Sequence, residues 1–159
     1  MMGVAMDSLF RAARLGSDGA HRAYALIQFL DPALRREDWT AFLAAAGADS
    51  QVMTLEDARG YAHAVFTHKV EHDLRHGRVL RLNALACTGL PSKVLHQAIF
   101  DAADRIAREQ RCGGVIFEVA EAPAAGGFEA ASPGLEAALR ARCERVSASY
   151  YRALPRNDG

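Results

Sequence analysis

The stretch from Val79 to Val119 constrains this chain more than any other. Val79, Leu80, Leu82, Leu85, Ala86 and Cys87 make a mostly apolar run that suits a central strand covered on both faces. After Thr88-Gly89-Leu90-Pro91, Ser92 is placed to cap a helix in which Val94, Leu95, Ala98, Ile99, Ala102, Ala103 and Ile106 form a paired stripe every four residues. Gly113-Gly114 ends that helix, and Val115-Ile116-Phe117-Glu118-Val119 is short, apolar and β-branched. Such a unit reads strand, helix, parallel strand, because parallel neighbours need a long crossover and a helix supplies it. The striped face of the helix must therefore lie on the sheet.

The rest of the chain fits around this unit. Ser8–Leu15 is expected to be a first strand, ended by the turn signal Gly16-Ser17-Asp18-Gly19. Ala23, Leu26, Ile27 and Leu30 then recur at helical spacing until Asp31-Pro32 stops them, and Trp39, Phe42 and Leu43 mark a second helix that Gly47 closes. Gln51–Leu55 and Tyr61–Val70 flank the polar loop Glu56-Asp57-Ala58-Arg59-Gly60, an antiparallel hairpin. With Asp73–Gly77 as the next break, the Val79 run becomes the third strand of a meander. Pro133–Arg142 predicts one more helix, with Pro tolerated at its start, and Val146–Leu154 a last strand. The fold class expected is α/β, with a mixed, mostly antiparallel central sheet, flanking helices and one β-α-β unit. The loose stretch Ala120–Ser132 reads as a loop within one domain spanning 1–159, its core at 7–155.

Charge excludes some partners. Lys plus Arg and Asp plus Glu each number 19, so no overall field draws in nucleic acid or an anionic membrane. No apolar run reaches the roughly 18 residues a bilayer demands, and Met1–Gly19 lacks a secretory pattern. The expectation is a cytoplasmic protein with neither a nucleic-acid nor a membrane partner. Cys87, Cys112 and Cys143 are too widely spaced for a metal knuckle and odd in number, which reads as reduced thiols.

Several local words, in order, resemble one family. Gly60-Tyr61-Ala62-His63-Ala64-Val65 is similar to its third strand, and Leu82-Asn83-Ala84-Leu85-Ala86-Cys87 to its fourth. Gln97-Ala98-Ile99-Phe100-Asp101-Ala102-Ala103 through Arg111-Cys112-Gly113 looks like its main helix and the turn after it. Ala137–Arg145 with Tyr150-Tyr151-Arg152-Ala153-Leu154 resembles its final helix and strand. Over nearly the whole chain the resemblance is to the GNAT family, N-acyltransferases that use acetyl-coenzyme A.

The resemblance implies transfer of an acetyl group from acetyl-CoA to a primary amine, on a small molecule or an exposed amino group, by direct attack and without a metal. It implies a bulge in the fourth strand near Leu85, Ala86 and Cys87 that offers a backbone N–H to the thioester oxygen. It places the cosubstrate's pyrophosphate against Pro91, Ser92, Lys93, Val94, Leu95 and His96, at a helix start whose unpaired N–H groups and dipole favour an anion. Where the family has glycines in that turn, this chain has Val94 and His96, so main-chain amides and the Ser92 and Lys93 side chains would do the gripping. Where members carry a strand-four carboxylate as base, this chain has Arg81, Asn83 or Ala84. Nearby candidates for the base are Glu71 and His72, acting directly or through water, with Cys143, Tyr150 or Tyr151 as stand-in for the acid of the final helix. The alternative is a catalytically impaired domain of the same fold that binds a ligand or a protein partner. Members of the family often pair through edge strands, so a homodimer is compatible with the resemblance.

Two histidine readings stand beside this. His68-Lys69-Val70-Glu71-His72 satisfies HxxEH, which on a helix binds zinc, but the strand formers of His63–Thr67 oppose a helix there. His96 reads either as a ligand contact beside the phosphate site or as a polar residue at a helix start.

Overall fold

The computed structural model describes residues 9–46, 51–87, 93–118, 133–145 and 152–153. Five strands form one sheet in the order β1-β2-β3-β4-β5: Arg11–Arg14, Gln51–Glu56, Ala62–Asp73, Gly77–Cys87 and Gly114–Phe117. The first four are antiparallel neighbours, and β5 runs parallel to β4. Helices α1 (Tyr24–Leu30) and α2 (Arg36–Ala45) cover one face, while α3 (Lys93–Glu109) and α4 (Pro133–Arg142) lie on the other. This is the mixed, mostly antiparallel α/β arrangement expected, with the β-α-β unit formed by β4, α3 and β5.

Two apolar layers sandwich the sheet. On the α3 side Leu95, Ile99, Ala103 and Ile106 pack on Leu55, Phe66, Leu80 and Leu82, with Leu135 and Leu139 added from α4. On the other side Leu26, Ile27, Trp39 and Leu43 pack on Val52, Val65 and Ala86. Covering on both faces is why β4 reads as a nearly continuous apolar run. Among the described residues no helix is long and apolar enough to cross a membrane.

The register of β4 against β3 contains one extra residue. Val65 pairs with Ala86 but Thr67 with Asn83, so two steps on β3 oppose three on β4. Ala84 and Leu85 together face the single residue Phe66, which is a β-bulge in β4. Beyond it the alternation is reset, so Asn83 and Ala86 share a face although they are three apart.

Some boundaries differ from expectation. The first strand is only Arg11–Arg14, and Gly16–Gly19, read as a plain turn, leads into a 3-10 helix over Ser17–Arg22. Tertiary bonds fix it: the Trp39 indole N–H donates to the Ala20 carbonyl at 2.8 Å, and Arg22 reaches Glu56 at 3.1 Å. β3 runs three residues past Val70, because the Asp73 carboxylate accepts the Arg75 and His76 N–H groups and Gly77 takes φ +71°, closing a tight hairpin. HxxEH therefore lies on a strand, where His68 and His72 take one face and Glu71 the other; the helical zinc geometry is absent. The expected last strand, 146–154, falls mostly outside the described residues, and Arg152 and Ala153 belong to no strand.

Glu56 ties the segment before α1 to the sheet. It is 2% exposed, accepts the Thr54 hydroxyl at 3.0 Å, pairs with Arg22 and has Arg11 at 4.0 Å. Truncating the partner strands a buried carboxylate, so Arg22→Ala is expected to cost about 3 kcal/mol. Adding Glu56→Gln, which keeps an acceptor for Thr54 and removes the charge, should restore more than half of that loss, read by urea unfolding of both variants.

Candidate functional site

Strand β5 is short and ends before β4 does. The last β4–β5 pair is Leu82 with Phe117, followed by one bond from the Glu118 N–H to the Leu82 carbonyl at 2.8 Å. Residues 83–87 of β4 continue past the end of β5, and the bulge at Ala84–Leu85 lies at the start of this overhang. A bulge leaves backbone groups outside the ladder, where they can serve a ligand.

The residues expected from sequence to contact a cofactor are placed as follows. Leu85 stands in the bulge; just after it Ala86 joins the α1/α2 layer and Cys87 the α3 layer. Lys93 and Val94 are exposed on the first turn of α3, while Leu95 is core. His96, in the first turns of α3, is buried; burial lowers its pKa, and its Nε2 has no hydrogen-bond partner. Pro91, Ser92 and Tyr150 lie outside the described residues.

A polar row crosses the α1/α2 face of β3, β4 and β5 and ends beside the bulge. Lys69 pairs with Glu71 at 2.8 Å, and Arg81 bridges Glu71 at 2.5 Å and Glu118 at 2.6 Å. The Asn83 amide, with its nitrogen toward the carboxylate, donates to the second oxygen of Glu118 at 2.8 Å. Sequence reading passed over Glu118, which stood only as a member of a strand. The signal was faint: a lone acidic residue ending an apolar strand, two after Ile116 and so on the same face. Its neighbours follow from the β4–β5 register, which no local word encodes.

Of the four catalytic candidates from sequence, Glu71, His72 and Cys143 are not brought together, and Tyr150 lies outside the described residues. Glu71 pairs with Val79 in register, eight residues before Cys87, which is roughly 25 Å along the strand. Lys69 first, then Arg81, hold its carboxyl below the usual carboxylate range, which weakens it as a base. His72 points to the opposite face and is exposed beside the Asp73–Gly77 hairpin. Cys143 follows α4 on the α3 side and lines a groove of about 420 Å³ with Phe100, Phe117 and Arg142. Burial pushes its thiol up, Arg142 opposing and Asp104 adding to the effect.

No family model matches the sequence, and no curated protein matches it. Solved structures do match in fold. A ribosomal-protein-alanine N-acetyltransferase from Brucella melitensis biovar Abortus 2308 is 14% identical, covering 91% of this chain and 98% of its own, with TM-score 0.64. An aminoglycoside N-acetyltransferase solved with CoA is 12% identical, covering 94% and 98%, with TM-score 0.66. A glucosamine-6-phosphate N-acetyltransferase from Arabidopsis thaliana is 13% identical, covering 92% and 97%, with TM-score 0.57. These likenesses establish the fold.

The Glu71 pairs have a pH signature. Because the folded-state pKa is depressed, their contribution to stability is present above the ordinary carboxylate pKa of about 4.3 and is lost as pH falls through the folded value. Glu71→Gln should accordingly unfold at lower urea than the parent at pH 7, and the two midpoints should converge below about pH 4.

Proposed function

We propose that this chain is an N-acetyltransferase that moves the acetyl group of acetyl-CoA to a primary amine by direct attack. The observation that carries the reading is the bulge at Ala84–Leu85, set where β4 runs past the end of β5 and just ahead of α3. Main-chain N–H groups freed there are suited to a developing oxyanion, because fixed donors aimed at new charge need no reorganisation during reaction. The acetyltransferases of like fold, one of them solved with CoA, support it. The residues present suit that cosubstrate: α3 begins with the exposed ammonium of Lys93, and unpaired N–H groups of a first helical turn favour a diphosphate.

Within this reading Glu118, not Glu71, takes the proton. It stands next to the bulge, Arg81 and Asn83 fix its orientation, and it remains partly open to solvent. The acceptor's ammonium gives one proton to the Glu118 carboxylate, and the freed lone pair attacks the thioester carbonyl carbon. The C–N bond forms, the C–S bond breaks, the second nitrogen proton passes to the departing thiolate, and Glu118 returns its proton to water. Acceptors are small amines or exposed amino groups.

One observation favours a second reading, a domain of this fold that binds without turnover: both carboxylates of the polar row are already ion-paired with Arg81. Two measurements separate the readings. The first is the melting temperature during titration with acetyl-CoA, and the second is thiol release with a panel of polyamines, amino sugars and peptides bearing a free amino terminus. A saturable rise with turnover is expected, and Glu118→Gln should lower turnover about a hundredfold without changing acetyl-CoA binding. A rise without turnover selects a binding domain with acetyl-CoA as its ligand, and no rise at millimolar ligand overturns the enzyme and leaves a domain that binds another ligand or a protein partner.

A further inference from the structure

We propose that the end of the molecule far from the bulge rests on anionic membrane surfaces, with Leu74 entering the bilayer and four arginines meeting the lipid headgroups. This contact stands independently of the acetyltransferase reading.

Leu74 lies in the turn between β3 and β4 and is fully exposed, at 106%. The turn holds it out, since the Asp73 carboxylate accepts the Arg75 and His76 N–H groups and Gly77 takes φ +71°. Exposed arginines gather behind it. Arg75 follows in the turn, Arg78 stands opposite His72 on β4, and Arg78 ties the hairpin to the end of α3: its Nε donates to the Gln110 carbonyl and its own carbonyl accepts the Gly113 N–H, both at 2.9 Å. Arg108 and Arg111, also exposed, are thereby brought to the level of Arg78. Among the described residues Arg75, Arg108 and Arg111 enter no side-chain hydrogen bond or ion pair, unlike Arg22, Arg35 and Arg81. Against these four cations stand Asp73, engaged by the turn, and Glu109; one turn back, Asp104 and Arg105 cancel. The balance of 19 cationic and 19 acidic residues averages over this uneven end.

Arg78 and Arg108 have an ordinary place at a helix C-terminus, where cations suit the outward carbonyls. Leu74 and Arg111 do not. A leucine in open water gains nothing for the fold, and Arg111 holds φ +57°, the only positive value among the described non-glycine residues, just past a helix where glycine is favoured because a Cβ is strained there. Depth then selects the partner. Leu74 is two residues beyond His72, the neighbour of Arg78, which is about 7 Å along the strand. Apolar side chains enter the boundary between headgroups and acyl chains by about 5–10 Å while cations stay with the phosphates. Nucleic acid offers no apolar layer for the leucine, and a protein would have to supply a fitted pocket, whereas acyl chains close around any convex tip. The bulge lies six residues farther along β4 than Arg78, roughly 20 Å away, so it stays clear of the bilayer.

Sedimentation with vesicles of equal parts phosphatidylserine and phosphatidylcholine tests this, with pure phosphatidylcholine as the control. The protein should bind the mixed vesicles, less so as salt is raised, and leave the control vesicles bare. Leu74→Ser should weaken binding about tenfold while its urea midpoint stays at the parent's, because the side chain supports no packing. Arg111→Gly should weaken binding about fivefold and yet unfold at higher urea, since glycine relaxes the left-handed position. In Leu74→Trp the emission should shift to the blue on mixed vesicles only, Trp39 being buried throughout. Equal binding to both vesicles, binding to neither, or a Leu74→Ser variant that binds like the parent overturns the proposal. So does retention on single-stranded nucleic acid or an acidic polypeptide in place of vesicles, which would assign the arginines to another anion.

Discussion

One surplus residue in β4 organises this molecule. A strand alternates its side chains between two faces, and a single insertion reverses that alternation for everything beyond it. Before the bulge, Leu80 and Leu82 face α3 while Arg81 and Asn83 face the other way; after it, Ala86 joins the α1/α2 layer and Cys87 the α3 layer. Each layer therefore receives a small residue at the end of β4. The same insertion frees main-chain groups from the ladder. Packing and the proposed chemistry thus have one cause.

The electrostatics follow from that reversal. The odd-numbered positions of β3 and β4 ahead of the bulge lie on a face that α1 and α2 only partly cover, and charge settles there: Lys69, Glu71 and Arg81, joined by Glu118 from beyond β5. The Arg81 guanidinium holds two carboxylates taken from neighbouring strands. The planar fork suits this, since it offers several donors in fixed directions. Charge is balanced across three strands, with the row left neutral.

Much of the fold was legible because its signals are local. The α3 stripe, the hairpin loop at Glu56–Gly60 and Pro133 at the head of α4 each depend on a few adjacent residues, and each element was found within a few positions. The 3-10 helix at Ser17–Arg22 was not, because bonds from Trp39 and Glu56 made it, and these come from far along the chain. The site was legible only in part. The end of β4 was indicated by resemblance, whereas Glu71 and His72 were chosen for their chemistry and stand at the other end of the ladder on opposite faces. Glu118 gained its neighbours from parallel register, and the inward turn of His96 depends on what packs around a helix flank. No window of sequence contains either.

A main-chain donor has no letter of its own. Any amino acid except proline could occupy 84 or 85 and still present its amide hydrogen, so a chain that relies on that hydrogen is free to change its spelling while keeping its shape. Backbone geometry can agree where the text does not, which is how 12% identity can coexist with near-complete overlap of two chains.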